Sequence, residues 1–522
     1  MEKKFNVTGT CIPRKHYMVD TTEKINKIIK LIDNEEYFII NRPRQYGKTT
    51  TLFLLNNKLK QSQEYLPIKI SFEGIGDLVF ENESRFSKGF MRLLERTVEF
   101  EDVELANFIS LNMEKTESLD DLSYFMTKFI KKANRKVILM IDEVDKSSNN
   151  QLFLSFLGML RNKYLLRNEG LDCTFYSVIL AGVHDVKSLK IQIRSEEEHK
   201  YNSPWNIASD FDVDMSFSTE EIGTMLEEYA GCNNLIMDIP KLSDRIHFFT
   251  SGYPFLVSRI CKTLDEKIYH DNKKNWSIED IDKAVKLIIS EVNTLFESIV
   301  KNLENNEELY DLVKRLLING EIILFNALDS LINLGLTYGI FKQGISGIEI
   351  SNKIFEEIIY NYMLSKSRTT YKDMSKYNFK DKFITNEGGL CIEKILLKFQ
   401  QFIKEQYSHI DAAFIEREGR LLFLAFIKPI INGVGFDFKE VQISEEKRLD
   451  IVITYNNFKY IIELKVWRGE KYHRKGVAQL SDYLDIHGMN KGFLLIFNFN
   501  ENKEYKKEVI IENNKEIFTV HV

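Results

Sequence analysis

A ten-residue segment near the start of the chain combines residue types that suit the binding of a phosphate group. It reads NRPRQYGKTT from Asn41 to Thr50 and separates an apolar run from a helix-forming one. A tight loop that opens a helix turns its backbone N–H groups and the positive end of the helix dipole toward an anion. The first glycine of the GxxxxGK[ST] pattern is missing, because Asn41 or Arg42 occupies its position. The residues expected to hold a nucleotide are Arg44, Gly47, Lys48, Thr49 and Thr50.

Two acids, Asp142 and Glu143, end the apolar run VILMI further along the chain. In a parallel sheet, the carboxyl ends of strands face the ligand crevice. We expect Lys48 to reach the β- and γ-phosphates of ATP and Thr49 to bind Mg²⁺. Asp142 would help to hold the same ion, and Glu143 would polarise the attacking water. The alternative is a helix-capping glycine and acids that simply meet solvent.

A second group of polar residues lies in the C-terminal part of the chain. Asp450 begins one apolar segment, and Glu463 and Lys465 lie in the next. Side chains alternate along a strand, so Glu463 and Lys465 share a face, and a hairpin would bring Asp450 close to them. Converging carboxylates with open water positions suit Mg²⁺ or Mn²⁺ at Asp450 and Glu463. Because an ammonium can offset charge on a pentacoordinate phosphate, the set predicts phosphodiester hydrolysis. The alternative is a polar hairpin with ordinary ion pairs.

The helix predicted after this hairpin adds two more candidates. Gln479 and Tyr483 are four residues apart and therefore share one helix face. Both are expected to reach back over the strands to the metal site or the substrate. An acid from the preceding helix would complete such a site, and Glu416 is preferred over Glu418.

A basic segment with interleaved aromatic residues runs from Lys465 to Lys475 and reads KVWRGEKYHRK. Basic groups and aromatic rings beside a metal site suit a phosphate backbone or a stacked base. A solvated loop before a helix is the alternative. His473 is expected to contact phosphate or to be structural, because no second histidine is near it in the sequence.

The elements that must position these residues can be inferred from hydrophobic patterning. Apolar runs alternate with helical segments up to about Asp214, which predicts a parallel sheet covered on both faces. These predicted strands are Tyr37–Asn41, Ile68–Phe72, Val137–Ile141 and Phe175–Leu180. Amphipathic helices follow from a capping sequence at Ser218. Helices at Glu308–Ile318, Ile323–Leu334 and Asn352–Leu364, with a strand pair before the last, predict a winged-helix-like module. Further on, the pattern predicts helices at Leu390–Glu405, Ala412–Ile431 and Gly476–His487 and strands at Gly435–Ile443, Asp450–Tyr455, Phe458–Val466 and Gly492–Phe497.

Composition limits the classes of protein that the chain can be. It has 522 residues, 44% of them hydrophobic, with 71 Lys plus Arg against 77 Asp plus Glu and a formal net charge of -6. This excludes a polycationic nucleic-acid coat protein but leaves room for a locally basic site. Five scattered cysteines without a CxxC pair, no signal sequence and no long apolar stretch predict a cytoplasmic protein without a membrane partner.

The N-terminal motifs resemble those of bacterial AAA-ATPase-like domains. The resemblance rests on YFIINRPRQYGKTTTL, VILMIDEVD, SPWNIA and SGYPFLVSRIC and covers about residues 5–365. It implies an RPRxxGK[ST] loop in place of the complete phosphate loop. It also implies a G-x-P turn near the nucleotide, which would give Gly252 and Pro254 a binding role. Arg194 and Arg259 are both candidates for an arginine finger, with a structural arginine as the alternative.

The C-terminal motifs resemble the QxxxY branch of the PD-(D/E)XK nuclease superfamily. The resemblance covers roughly residues 390–522, although Leu449 stands where the superfamily's proline would precede Asp450. The implied fold is multidomain α/β, with a three-layer P-loop NTPase core, a helical lid and a winged-helix-like module before a restriction-endonuclease-like α/β domain. The predicted domain ranges are 1–217, 218–296, 297–366 and 390–522, with a linker at 367–389.

These expectations lead to a principal functional hypothesis and two alternatives. The principal hypothesis is an ATP-regulated, Mg²⁺-dependent nuclease that acts on DNA rather than RNA, in nucleic-acid processing or in defence against foreign DNA; homo-oligomerisation is left open. The first alternative is a nucleotide-switched signalling or scaffold protein whose C-terminal domain binds nucleic acid or a partner without cleaving it. A transcriptional regulator ranks lower, because the third helix of the winged-helix-like module is not basic.

Overall fold

The computed structural model describes most of the chain, and the chain divides into two compact units. The described residues are 3–147, 151–183, 205–269, 275–319, 321–370, 383–385, 387–406, 419–424, 426–427, 435–439, 451–455, 458–500 and 503–522. The first unit comprises residues 1–299, 326–342 and 350–355, and the second comprises 300–325, 343–349 and 356–522.

The first unit is built around a parallel four-stranded sheet, as the sequence predicts. The strands are β1 (Phe38–Asn41), β2 (Tyr65–Ser71), β3 (Lys136–Asp142) and β4 (Ser177–Gly182). They lie in the order β1-β4-β3-β2, and every pair is parallel. Strand β3 is buried along almost its whole length, because apolar clusters cover both faces of the sheet. The phosphate loop therefore follows β1, and Asp142 ends β3, at the same edge of the sheet.

Helices cover this sheet, and a helical segment follows it in the chain. Those within the sheet region are α1 (Thr22–Asp33), α2 (Lys48–Leu59), α3 (Glu83–Val98), α4 (Val103–Met113), α5 (Leu119–Ala133) and α6 (Gln151–Asn168). Those that follow are α7 (Thr219–Asn233), α8 (Ile239–Thr250), α9 (Pro254–Thr263), α10 (Ile278–Ser290) and α11 (Thr294–Glu304). The predicted start of α7 is confirmed: the side chain of Ser218 accepts from the Glu221 N–H, and the Glu221 carboxylate accepts from the Ser218 N–H.

The segment predicted as a winged-helix-like module has the expected order of elements but different bounds. Its elements are α12 (Glu307–Lys314), α13 (Ser330–Thr337), β5 (Phe341–Gln343), β6 (Ile348–Ile350) and α14 (Lys353–Thr370). The predicted helix at 323–334 is wrong in its first half, because the Asp329 side chain accepts from the N–H groups of Leu331 and Ile332 and so caps a helix that begins at Ser330. Helix α14 also runs four residues into the predicted linker. The winged-helix assignment itself and the four domain ranges stay predictions.

The second unit contains a mixed six-stranded sheet. Its strands are β7 (Gly435–Lys439), β8 (Ile451–Tyr455), β9 (Phe458–Val466), β10 (Lys491–Phe497), β11 (Lys507–Glu512) and β12 (Lys515–His521), and its helices include α15 (Ile392–Gln406) and α16 (Glu470–Ile486). The strand order is β11-β12-β10-β9-β8-β7. Strand β10 is parallel to β9 and β12, and the other neighbours are antiparallel. The hairpin of β8 and β9, with Tyr455 opposite Phe458, confirms the predicted arrangement.

Two features of this unit differ from or extend the prediction. Strands β11 and β12 were not predicted, although β12 packs deep in the sheet. Helix α16 begins at Glu470 rather than Gly476, so half of the basic segment is helical. Within the described parts of both units, no helix combines the length and the apolarity that crossing a bilayer requires.

Candidate functional sites

The phosphate loop connects β1 to α2 through a backbone that turns sharply. Gly47 precedes the first residue of α2 and has φ +83°, and Gln45 has φ +56°. Glycine adopts this left-handed conformation without the strain that a Cβ would add. The loop therefore presents the N-terminus of α2, with its unpaired N–H groups, as an anion-binding end.

Lys48 is the buried cation of this loop. Its side chain is 7% exposed, and its ammonium donates to the carbonyl oxygens of Arg42 and Pro43 at 2.8 and 3.0 Å. Burial lowers the pKa of Lys48, and the nearby carboxylates of Asp145 and Glu143 oppose that shift. Lys48, the first residue of α2, is thus held inside the loop close to the acids at the end of β3.

Three acids lie at the end of β3 or just after it: Asp142, Glu143 and Asp145. Only the first two were predicted from the sequence. Asp142 is 2% exposed, and its Oδ1 accepts from the Glu143 N–H at 3.1 Å. Burial, followed by the charge of Asp142, raises the pKa of Glu143, whose backbone has φ +57°. The Asp145 carboxylate accepts from the N–H of Val183, the residue that follows β4, at 2.6 Å. Asp145 was missed, although its position three residues after Asp142 was a usable signal.

A cavity of about 440 Å³ opens beside the loop, and most of the predicted nucleotide-binding residues line it. Those residues are Gly47, Lys48, Thr49, Thr50, Glu143 and Pro254. Apolar side chains such as Val19 and Phe217 form other parts of its wall, which suits a base. Arg44 and Asp142 do not line it: Arg44 is exposed, and Asp142 is buried. The Thr50 hydroxyl accepts from the Cys11 N–H at 3.1 Å, so Thr49 is the threonine whose hydroxyl suits a metal ligand.

The turn before α9 meets the loop at two residues. A Cβ on Gly47 would lie 3.9 Å from the Cβ of Pro254, so the two residues are in contact distance. The Tyr253 hydroxyl donates to the carbonyl oxygen of Arg44, and its ring packs edge-on against Tyr46 with centroids 4.7 Å apart. These contacts agree with a nucleotide-proximal position for Pro254.

Gly252 allows two backbone segments to approach closely, and its predicted role in nucleotide binding stays a prediction. It has φ +72°, and a Cβ there would lie 2.1 Å from the Phe217 carbonyl oxygen. The Phe217 N–H in turn donates to the Gly252 carbonyl at 2.8 Å. Gly252 is absent from the cavity wall and is required so that the Phe217 backbone can approach; Phe217 itself lines the cavity.

Two arginines in the first unit have structural partners. Arg42 donates to the carbonyl oxygens of Val213 and Phe211 at 2.9 and 3.3 Å. Arg259 pairs with Glu291 within the helical segment, and its role as an arginine finger stays a prediction. The other candidate, Arg194, lies outside the described residues.

In the second unit, the structure brings three of the predicted catalytic residues together. Glu463, 4% exposed, and Lys465 lie on one face of β9, with the Glu463 Oε1 and the Lys465 Nζ 2.5 Å apart. The Lys465 Nζ also donates to the Gln479 Oε1 at 3.3 Å. A Cβ on Gly476 would lie 3.6 Å from the Lys465 Cε, so α16 packs closely on the lysine stem at this point. Lys465 thus bridges the strand carboxylate and the helix amide.

The helix α16 also carries the basic residues of the predicted segment. Lys471, Arg474 and Lys475 are exposed, and the latter two lie three and four residues after Lys471, which places them on one side of its first turns. Arg474 is 3.7 Å from Glu470. Tyr483 packs edge-on against His487, with centroids 4.7 Å apart, at the opposite end of the helix. This ring contact is made with the residue that caps the end of α16, and not with the pair of Glu463 and Lys465.

Family comparison shows what the first unit is. A family model for an AAA-like domain matches residues 12–323, which is more than half of the chain. The chain belongs to the AAA-like domain family. In this AAA-like protein, residues 432–509 also match the PD-(D/E)XK nuclease superfamily, and the C-terminal domain is a member of that superfamily. No curated protein matches the sequence.

Solved structures similar to this AAA-like protein are distant ones. The Walker-type ATPase of Pyrococcus abyssi is 12% identical, with 68% of this chain and 99% of that chain covered and a TM-score of 0.47. The ORC2 protein of Aeropyrum pernix, in ADPNP–ADP complexes, is 13% identical over 69% of this chain and 96% of its own, with a TM-score of 0.38. The Thermotoga maritima RuvB Holliday junction branch migration motor is 12% identical over 65% and 95%, with a TM-score of 0.33.

Some of the predicted residues of the AAA-like protein have no described position, because Asp450, Glu416 and Glu418 lie outside the described residues. His473 has no histidine near it in the sequence, but strand β12 brings His521 to it, with ring centroids 5.7 Å apart. This contact could not be predicted, since strand β12 itself was not predicted. The role of His473 as a phosphate contact or a structural residue stays a prediction.

Proposed function

We propose that this protein is an ATP-regulated, divalent-metal-dependent nuclease. The observation that carries the proposal is the bridge from Glu463 through the Lys465 ammonium to Gln479, in a domain of the PD-(D/E)XK superfamily. An acid, a lysine and an amide lie together here on a strand and a helix. Phosphodiester hydrolysis accounts for this arrangement better than an isolated surface ion pair does. The AAA-like domain supports the nucleotide-dependent part of the proposal.

At the ATP site, each residue has a task that its surroundings support. Gly47 and the N-terminus of α2 would hold the phosphates, with Lys48 contributing its charge once it exchanges loop carbonyls for phosphate oxygens. The Thr49 hydroxyl and the acids after β3 provide the hard oxygen donors that Mg²⁺ prefers. Glu143 borders the cavity and would orient the attacking water. Pro254 would contact the nucleotide from the turn before α9.

At the nuclease site, Glu463 fits a role as one metal ligand because its carboxylate is buried beside a cation. Asp450 would be the second ligand, and Glu416 the acid from the preceding helix. A bound Mg²⁺ or Mn²⁺ would supply a nucleophilic water and polarise the phosphodiester. Lys465 would stabilise the extra negative charge on phosphorus, and Gln479 would hold Lys465 in place. Tyr483 would contact the substrate backbone further along α16.

The proposed substrate is DNA, and the exposed basic residues of α16 support a nucleic-acid backbone as the partner. Lys471, Arg474 and Lys475 follow the catalytic strand directly and offer separated positive charges on one side of a helix. ATP binding would regulate cleavage, and nucleic-acid processing or defence against foreign DNA is the setting that such a pair of activities fits. We further propose a cytoplasmic location.

The test is a cleavage assay on single- and double-stranded DNA and RNA, with Mg²⁺ or Mn²⁺ and with or without ATP. Lys465→Ala should lower cleavage by about 100-fold or more, because it removes charge stabilisation of the transition state. Lys459→Ala, an exposed lysine on the same strand, is the matched control and should keep wild-type activity. Asp450→Ala should abolish cleavage as well.

Variants of the ATP site separate the two halves of the proposal. Lys48→Ala should abolish ATP binding and the effect of ATP on cleavage, whereas Lys58→Ala, exposed on the same helix, should change neither. If Lys465→Ala cleaves as well as wild type, the nuclease assignment is wrong. If Lys48→Ala changes nothing about cleavage, the regulation by ATP is wrong. Binding of DNA without any cleavage would favour the scaffold alternative.

A further inference from the structure

Three side chains from three elements of the second unit converge at one point. His473 lies on α16, Glu508 on β11 and His521 on β12. The His473 Nε2 and the His521 Nε2 are 3.4 and 3.5 Å from the Glu508 Oε1. One potential ligand atom of each residue lies within 4.8 Å of the other two. No neighbouring pair in the sequence accounts for the cluster, so the fold itself assembles it.

The cluster is buried, and its polar atoms have unused bonding capacity. His473 is 9% exposed and His521 1%, while the Glu508 side chain is 34% exposed. Among the described residues, two atoms of the cluster that face its centre, the Glu508 Oε1 and the His521 Nε2, are buried without a hydrogen-bond partner. The separations of 3.4 and 3.5 Å are longer than well-formed N–H···O bonds. Buried polar atoms of this kind need an explanation, because leaving them unpaired is costly.

A metal ion accounts for these separations better than hydrogen bonding does. Zn²⁺ binds imidazole nitrogen and carboxylate oxygen at about 2.0–2.2 Å in a tetrahedron, which puts adjacent ligand atoms about 3.4 Å apart. The two distances to Glu508 match that spacing. We propose that His473, Glu508 and His521 form a binding site for a divalent transition-metal ion, with zinc as the expected ion.

The neighbours of the cluster are compatible with a cation at its centre. The Trp467 ring covers one side, with its centroid 5.2 Å from that of His521 and 5.6 Å from that of His473. The Lys506 ammonium is 3.5 Å from the Glu508 Oε1, but its side chain is 41% exposed and can turn to solvent. The exposed side of Glu508 leaves room for water as a fourth ligand.

The ion would fasten α16 to the far edge of the sheet. Gln400 already fixes this edge, because its Nε2 donates to the carbonyl oxygens of His521 and Lys506 at 2.7 and 3.2 Å. His473 lies six residues before Gln479 on the same helix, so a metal at His473 would steady the helix that presents Gln479. The site uses none of the proposed nuclease residues and does not depend on the proposed nuclease activity.

The test measures metal binding by the full-length chain. Protein stripped with a chelator is titrated with ZnCl₂ by calorimetry, and with Co²⁺ while the visible absorption is recorded. We expect one tightly bound zinc that Glu508→Gln weakens at least 10-fold, and Co²⁺ bands typical of tetrahedral nitrogen and oxygen ligation without a thiolate band. Glu512→Gln, on the same strand, and Glu463→Gln should keep wild-type zinc affinity.

Glu508→Gln carries the test, because Glu508 is partly exposed and its replacement has nearly the same shape. His473→Gln provides a second ligand variant and should also weaken zinc by at least 10-fold. Absence of stoichiometric zinc would overturn the proposal, and so would zinc affinity that is equal in wild type and Glu508→Gln. Loss of zinc in Glu463→Gln, with retention in Glu508→Gln, would show that the ion belongs to the nuclease site instead.

Discussion

The replacement of Gly252 by alanine should destabilise the AAA-like unit strongly, for a reason that the backbone makes explicit. Gly252 has φ +72°, and a Cβ would lie 2.1 Å from the Phe217 carbonyl oxygen and 2.7 Å from the Phe217 nitrogen. Both atoms belong to backbone, so they cannot yield as a flexible side chain can. The backbone must move apart, and the Phe217 N–H bond to the Gly252 carbonyl, 2.8 Å long, is expected to break.

The magnitude follows from three contributions. Alanine at positive φ costs about 1 kcal/mol, a lost backbone hydrogen bond about 1 kcal/mol, and overpacking about 1–3 kcal/mol. Because these contributions overlap, we expect a loss of about 3 kcal/mol in the free energy of unfolding. For a unit of roughly 300 residues, an unfolding entropy of about 2.1 cal/mol/K per residue converts this loss to a fall in Tm of roughly 5 °C.

Gly170→Ala is the matched control. Gly170 has φ +75°, and a Cβ there would meet no described atom within 4 Å. This variant carries the backbone cost alone, about 1 kcal/mol and a fall in Tm of roughly 2 °C. Calorimetry of the full chain gives both values from the thermal transition that a non-hydrolysable ATP analogue raises, since that transition reports the nucleotide-binding unit. Equal Tm values for the two variants would refute the steric argument at Phe217.

Three further predictions concern residues of both units. Thr49→Ala should abolish Mg²⁺-dependent ATP hydrolysis in a phosphate-release assay, whereas Thr50→Ala should mainly lower stability by about 1 kcal/mol, because its hydroxyl accepts from the Cys11 N–H. Asp172→Asn should lower the free energy of unfolding, measured by urea denaturation, by about 3–5 kcal/mol. The reason is that the Lys163 ammonium, 1% exposed, loses its counter-ion 2.5 Å away. Adding Lys163→Met should recover much of that loss, and no recovery would contradict the explanation. Gly476→Ala should retain cleavage, because its Cβ would lie 3.6 Å from the Lys465 Cε, but Gly476→Leu should reduce cleavage at least 10-fold with the fold intact by circular dichroism.

Local chemistry made the AAA-like core predictable. Strands β1 to β4 are buried apolar runs between helices, and such runs indicate a parallel sheet directly. The loop around Gly47 and the acids at the end of β3 are two short segments that each follow a strand of the same parallel sheet, so their convergence follows from the sheet alone. Glu463 and Lys465 were equally predictable, because alternation along one strand decides that they share a face.

The features that the sequence did not predict depend on contacts between distant segments. The role of Gly252 is set by the Phe217 backbone, and no composition rule identifies that neighbour. The cluster of His473, Glu508 and His521 needs the pairing of β11 with β12, and β11 exposes the apolar side chains of Val509 and Ile511, so its sequence does not indicate which face is buried. The true start of α13 depended on a side-chain cap at Asp329, which competed with an apolar pattern that favoured an earlier start.

The bond from the Tyr253 hydroxyl to the Arg44 carbonyl has a kinetic consequence. Tyr253 begins the turn into α9, so any outward swing of that turn must either drag the phosphate loop with it or first break this bond. Nucleotide release after hydrolysis would then require the same bond to break as the opening of the helices does. Tyr253→Phe would therefore raise the rate of nucleotide release more than it would weaken nucleotide binding. The Tyr253 hydroxyl would thereby set the lifetime of the nucleotide-bound state.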